Sequence, residues 1–261
     1  MRRFSFAPIV VVLVAVTACG STPDSGASAP RTSARSTPIY GGTPDTTHPS
    51  TVAVFGAQSL CTGTIVKVDG TTGYALTAAH CVDDPPTEIV VGTNFDKPQS
   101  VFKVTKYQAH PKYTGNVGQG YDFAMITFAN AKSSLAVTPA MTKANDTLKV
   151  GDAMVFVGFG ETDKNANNDI RYAVGGAVGK LSTLLISYNQ AKGGPCQGDS
   201  GGPAFVTVGG VEYVAGVTSY GGDCWADGTS GRVSAVQDFI EGYVGGTTGG
   251  GGAGGSGAGG S

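Results

Sequence analysis

Charge is scarce in this chain. Only 14% of its 261 residues are Asp, Glu, Lys or Arg, and the formal net charge at pH 7 is −2. Nothing in that balance points to nucleic acid or to an acidic substrate as a partner. Histidine is scarcer still, with three residues, and the five cysteines contain no Cys-x-x-Cys pair. That leaves too few ligands at metal-binding spacing for a zinc site, and no metal or other cofactor is expected. Long apolar runs are also missing. The stretch from Phe4 to Val16 is too short to be a stable membrane span. Behind the basic start Met1-Arg2-Arg3 it reads as a secretory signal over residues 1–18.

Glycine, by contrast, is abundant, with 42 residues, and Val, Thr and Tyr are plentiful, as expected of a secreted β-rich protein. The segment Val16-Thr17-Ala18-Cys19-Gly20 resembles a bacterial lipobox, in which Cys19 would be acylated and become the mature N-terminus; ordinary cleavage after Ala18 is the alternative. Removing Cys19 leaves four cysteines, an even set that allows three disulfide connectivities. Residues 19–38, rich in Ser, Thr, Ala and Pro, read as a disordered linker or propeptide. Residues 245–261 are nearly all glycine and read as a flexible tail.

The body between them, 39–244, carries short β-rich runs at Thr51–Gly56, Gly63–Val68, Tyr74–Thr77, Glu88–Val91, Val101–Gln108, Phe123–Phe128, Met154–Gly158 and Val211–Thr218. Repeated short strands with Gly and Asp turns suggest an antiparallel barrel or sandwich, and periodicity does not separate the two. Val233, Val236, Ile240 and Val244 recur at helical spacing and predict a C-terminal helix.

Three local motifs carry the chemistry. Thr77-Ala78-Ala79-His80-Cys81 comes first, Tyr121-Asp122-Phe123-Ala124-Met125 second, and Gly198-Asp199-Ser200-Gly201-Gly202-Pro203 last. A serine hydroxyl is a weak nucleophile near neutral pH and needs a neighbouring base. A histidine oriented by a carboxylate supplies one, and the chain order His, Asp, Ser is one of the known triad orders. On these motifs the chain resembles the trypsin/chymotrypsin family of serine proteases from Ile39 to Val244.

That resemblance implies an all-β fold of two six-stranded antiparallel barrels with a C-terminal helix and the active site in the cleft. His80 and Asp122 would come from the first barrel and Ser200 from the second. It implies an oxyanion hole made by the N–H groups of Gly198 and Ser200, and disulfides Cys61–Cys81 and Cys196–Cys224. The first of these bridges would contribute roughly 3 kcal/mol in the chain-entropy model. It places Gly194 on the floor of the substrate pocket and Gly221 and Gly228 on its walls. Ser219 would hydrogen-bond Asp122, with Ser219, Tyr220 and Gly221 framing the substrate strand. A floor without charge cannot compensate a buried Lys or Arg, so apolar side chains of medium to large size are expected. Asp223, near the entrance, is read as a turn residue.

The expected partners are polypeptide substrates and protein protease inhibitors, bound by a monomer with no nucleic acid and no membrane contact except through Cys19. The competing class is an inactive binding module on the same fold. Such modules typically have a triad residue replaced, and here all three are present.

The resemblance also implies an activation pair, Ile39 with Asp199, in which a newly freed N-terminal ammonium inserts beside the carboxylate. Pro38 precedes Ile39 where the family usually has Arg or Lys, and Tyr40 replaces the common valine. An ordinary turn role for Asp199, or pairing with Arg171 or Arg232, stays open. No acidic pair like the family's calcium loop stands out between His80 and Asp122. His48 and His110, each before a proline, are read as structural.

Overall fold

Short runs of apolar and β-branched residues, broken by Gly and Asp turns, become antiparallel sheet along most of the body. The computed structural model describes residues 39–160 and 169–245. The signal and linker segments, with Cys19, and the tail beyond Gly245 lie outside the described residues.

A two-residue strand, β1 (Thr43–Pro44), is followed by β2 (Thr51–Phe55), β3 (Leu60–Asp69), β4 (Thr72–Thr77), β5 (Glu88–Val91), β6 (Ser100–Ala109) and β7 (Ala124–Ala129). Strands β2 to β7 close into a barrel in the order β2-β3-β4-β7-β6-β5, sealed by antiparallel pairing of β2 with β5. Ile65, Leu76, Ile89, Phe102, Met125 and Phe128 fill its interior. Burying each such side chain contributes about 1.5–3 kcal/mol.

The second half comprises β8 (Ala153–Gly158), β9 (Tyr172–Ala177), β10 (Lys180–Leu181), β11 (Leu185–Asn189), β12 (Pro203–Val208), β13 (Val211–Gly221) and β14 (Asp227–Arg232). They form an eight-stranded antiparallel sheet, β1-β9-β8-β12-β13-β14-β11-β10. Six of its strands are of five residues or more, and β1 and β10 are two-residue edges. Met154, Phe156, Ile186, Ala204, Val206 and Ala215 form its core. The expected architecture thus appears as a closed six-stranded barrel and a second, larger sheet.

After β14 a 3-10 turn, Val233–Val236, leads into α1 (Gln237–Gly245). Val233, Val236 and Ile240 of the predicted stripe are buried and Val244 is half-buried, all against the first barrel's core. The Tyr243 hydroxyl reaches Thr127 Oγ1 of β7 at 2.9 Å, tying the helix to that barrel.

The connector between β7 and β8 is pinned on its way. Met141 N–H donates to the Val214 carbonyl at 3.0 Å. Asp146 accepts two hydrogen bonds from Arg232, at 2.6 and 2.8 Å, and one from the Ser234 hydroxyl.

Candidate active site

His80 opens a 3-10 turn, His80–Val82, that leaves β4. The Cys61–Cys81 disulfide staples this turn to β3, with Cα atoms 6.0 Å apart. Asp122 precedes β7, the neighbour of β4, so barrel pairing brings the two together. His80 N–H donates to Asp122 Oδ1 at 2.9 Å, and His80 Nδ1 lies 2.8 Å from Asp122 Oδ2. The Ser219 hydroxyl donates to the same Oδ2 at 2.6 Å. The β13–β14 register shifts between Thr218 and Tyr220, which takes Ser219 out of the ladder and lets its side chain turn to the carboxylate. Asp122 is almost fully buried. Burial works against its charge, but the hydrogen bonds from His80 and Ser219 outweigh it and hold the carboxyl below its ordinary range.

Ser200 sits on a tight loop with Gly198 at φ 92° and Gly201 at φ 79°. A Cβ on Gly201 would collide with Thr77 and Thr62, so glycine is required there for space as well as for φ. The N–H groups of Asp199, Gly201 and Gly202 are each spent on main-chain carbonyls, those of Cys196, Thr218 and Asp199. Those of Gly198 and Ser200 have no acceptor among the described residues. The loop's two donors expected to face an oxyanion are therefore the two left available.

Thr62, on β3, holds this loop from the other half of the molecule. Its N–H donates to the Ser200 carbonyl at 2.9 Å and its hydroxyl to the Gly198 carbonyl at 3.0 Å. Sequence reasoning missed Thr62. It is one buried threonine among several, and only the packing of the two halves gives it this role.

Beside Ser200 opens a cavity of about 230 Å³. Ser219, Tyr220 and Gly221 line it, with Pro195, Cys196, Thr218 and Asp223. The Cys196–Cys224 disulfide, Cα atoms 5.0 Å apart, joins two of its walls. Gly194 and Gly228, expected as floor and wall, are not among its lining residues. The Gln190 side chain lies against both: a Cβ on either glycine would collide with it. Gln190 and Tyr188, which the sequence did not single out, do line the cavity. Neither carries a sequence signal, because the family's pocket stretches begin after them.

Ile39 and Asp199 are both buried. Tyr40 exchanges backbone hydrogen bonds with Gly194, at 3.1 and 3.0 Å, and its ring lies 4.9 Å from that of Trp225. Asp199 Oδ1 accepts from Gly160 N–H at 2.7 Å and Oδ2 from Cys196 N–H at 2.9 Å. Arg171 and Arg232, the other cations considered for Asp199, pair with Asp45 and Asp146.

Of the other histidines, His48 bonds Asp45 at 2.8 Å and stacks on Phe205. His110 stacks on Tyr121, and burial pushes its pKa down, helped by Lys112. Cys61, His80 and Cys81 lie close enough together to suggest a metal site, but the two sulfurs are bonded to each other and His80 Nδ1 faces Asp122, so the set does not fit one.

The chain belongs to the trypsin family: the family model described as Trypsin matches residues 39–241. Among individual proteins it is 26% identical over 226 residues to the hepatocyte growth factor activator serine protease of Mus musculus, a match covering 74% of this chain and 34% of that one. It is 29% identical over 187 residues to chymotrypsin-like elastase family member 1 of Macaca fascicularis, covering 61% of this chain and 67% of the relative. The chain thus spans about a third of the length of the growth-factor-activator relatives it matches.

Proposed function

We propose that this protein is an exported serine endopeptidase that hydrolyses peptide bonds through an acyl-enzyme on Ser200. The observation that carries the reading is the Ser219–Asp122–His80 hydrogen-bond chain beside a cavity lined by Ser200, whose loop keeps two N–H groups available. Asp122 holds His80 Nδ1 as the donor, which leaves Nε2 as the base that takes the Ser200 proton. The Ser200 oxygen attacks the scissile carbonyl, and the N–H groups of Gly198 and Ser200 receive the charge that develops on its oxygen. His80 then returns the proton to the leaving amine, and water repeats the sequence on the ester.

Among the described residues, the only charged one lining the cavity is Asp223, which is exposed, and this supports peptides with an apolar body before the scissile bond over those with Lys or Arg. The buried placement of Ile39 and Asp199 supports an activation switch on the segment that begins at Ile39. Attachment to the cell envelope through a lipid on Cys19, with release on cleavage before Ile39, completes the proposal.

The test compares wild type with Ser200→Ala on a peptide substrate and with a fluorophosphonate probe. The variant should fold, escape labelling and lose several orders of magnitude in kcat. Comparable turnover by both proteins would refute the assignment.

A further inference from the structure

We propose that Gln190 sets the primary specificity of this cleft, and that it selects a side chain bearing a hydrogen-bond donor at the tip of an apolar body, tyrosine foremost. The inference rests on the peptidase reading above. Gln190 is 3% exposed, yet it lines the cavity. Its Nε2 donates to the carbonyls of Pro195 at 2.8 Å and Cys224 at 2.9 Å. Both partners are acceptors, so the amide has one sensible orientation, and both of its hydrogens are used.

What remains is Oε1, which lies beside Gly228, has no donor among the described residues and is not among the fully buried side-chain atoms that lack a partner, so a molecule in the cavity can reach it. The nearby Tyr188 hydroxyl is engaged with Ser230 at 3.3 Å. The lining of the cavity therefore offers an acceptor without a formal charge. Gly194 and Gly228 are what let the side chain reach this place, since a Cβ on either would occupy its volume.

The chemistry of an occupant follows. Asp and Glu bring only acceptors at neutral pH and meet repulsion. Lys and Arg bring donors, but their charge would be desolvated with no buried carboxylate to pair with; Asp223, the one carboxylate lining the cavity, is exposed. Leu, Met and Phe bury well but leave Oε1 unsatisfied. Asn and Gln satisfy it but forgo apolar burial against Pro195 and the Cys196–Cys224 bridge. A phenol does both.

The experiment measures kcat/KM of the full chain on four peptides that differ only before the scissile bond: Tyr, Phe, 4-aminophenylalanine and 4-fluorophenylalanine. Tyr and the amino analogue should exceed Phe and the fluoro analogue by about ten- to a hundredfold. Gln190→Leu should bring the four rates close together, whatever their common level. If that variant does not fold, the wild-type series decides alone. Equal rates on all four by a protein that fluorophosphonate labels at Ser200 would overturn this inference and leave the peptidase reading standing. No labelling and no hydrolysis would overturn that reading, and this one with it.

Discussion

The most heavily buried cation among the described residues, Arg171, is 1% exposed and answers to Asp45. Its Nε donates to Asp45 Oδ2 at 2.8 Å, and one terminal nitrogen donates to the carbonyls of Thr51 and Gly92. Burial opposes charge on Asp45, but hydrogen bonds from His48 and Thr47 override it and keep the carboxyl well below the ordinary range. A carboxyl with a depressed folded pKa stabilises the fold above its unfolded value of about 4, and that contribution is lost as pH falls through the folded value. Asp45→Asn should therefore cost about 3–5 kcal/mol at pH 7, where it leaves a buried guanidinium without its anion. The gap to wild type should narrow as pH drops from about 4 toward 2. Urea midpoints at pH 7 and pH 3 check this, and a gap independent of pH would contradict it. At this scale the candidate residues His80, Asp122 and Ser200 were legible because each sits in a distinctive local sequence. Gln190 was not, since only tertiary packing brings it to the cavity.

Among elements, the connector between β7 and β8 is the one whose stability is least evident from its own residues. It has no strand or helix, yet Asp146 is held by Arg232 and Ser234, and Lys143 N–H donates to Gln237 Oε1 at 2.7 Å. The segment thereby locks the end of β14 and the start of α1 in place. Asp146→Ala should cost about 2 kcal/mol or more, because two charge-assisted bonds are lost and Arg232 is left partly buried. A thermal melt unchanged from wild type would refute that. The strands of the first barrel were readable because each is rich in β-branched and aromatic residues. The strand Asp227–Arg232 was not: its sequence is Asp-Gly-Thr-Ser-Gly-Arg, and it is a strand because β13 and β11 pair with it on both sides. Its glycines answer to neighbours. Gly231 leaves room for the Phe123 ring and Gly228 for Tyr188 and Gln190. Periodicity within the strand contains none of this.

Over the whole molecule, the proposed processing makes two cuts with different consequences. Acylation of Cys19 would retain the protein at a membrane, and cleavage before Ile39 would free the catalytic body. Cys19→Ser should move the protein from the detergent phase to the aqueous phase, and mass spectrometry of active material should find Ile39 as the first residue. An unmodified Cys19 in the wild type, or active protein that begins elsewhere, would refute the corresponding step. Two halves that each supply part of one site also explain why the family could be recognised from three short motifs. His80 and Asp122 are set by pairing within the first barrel, while Ser200 is held across the cleft by Thr62.

Trp225 is the chain's only tryptophan, and its ring packs against Tyr40, one residue after Ile39. It is also 56% exposed and follows Cys224, which lines the cavity. Indole emission from this protein is therefore an optical readout of a single place, where Tyr40 meets the stretch that follows Cys224. Docking of the Ile39 segment, as proposed above, should register as a colour and intensity change in real time, with no label attached and no substrate present.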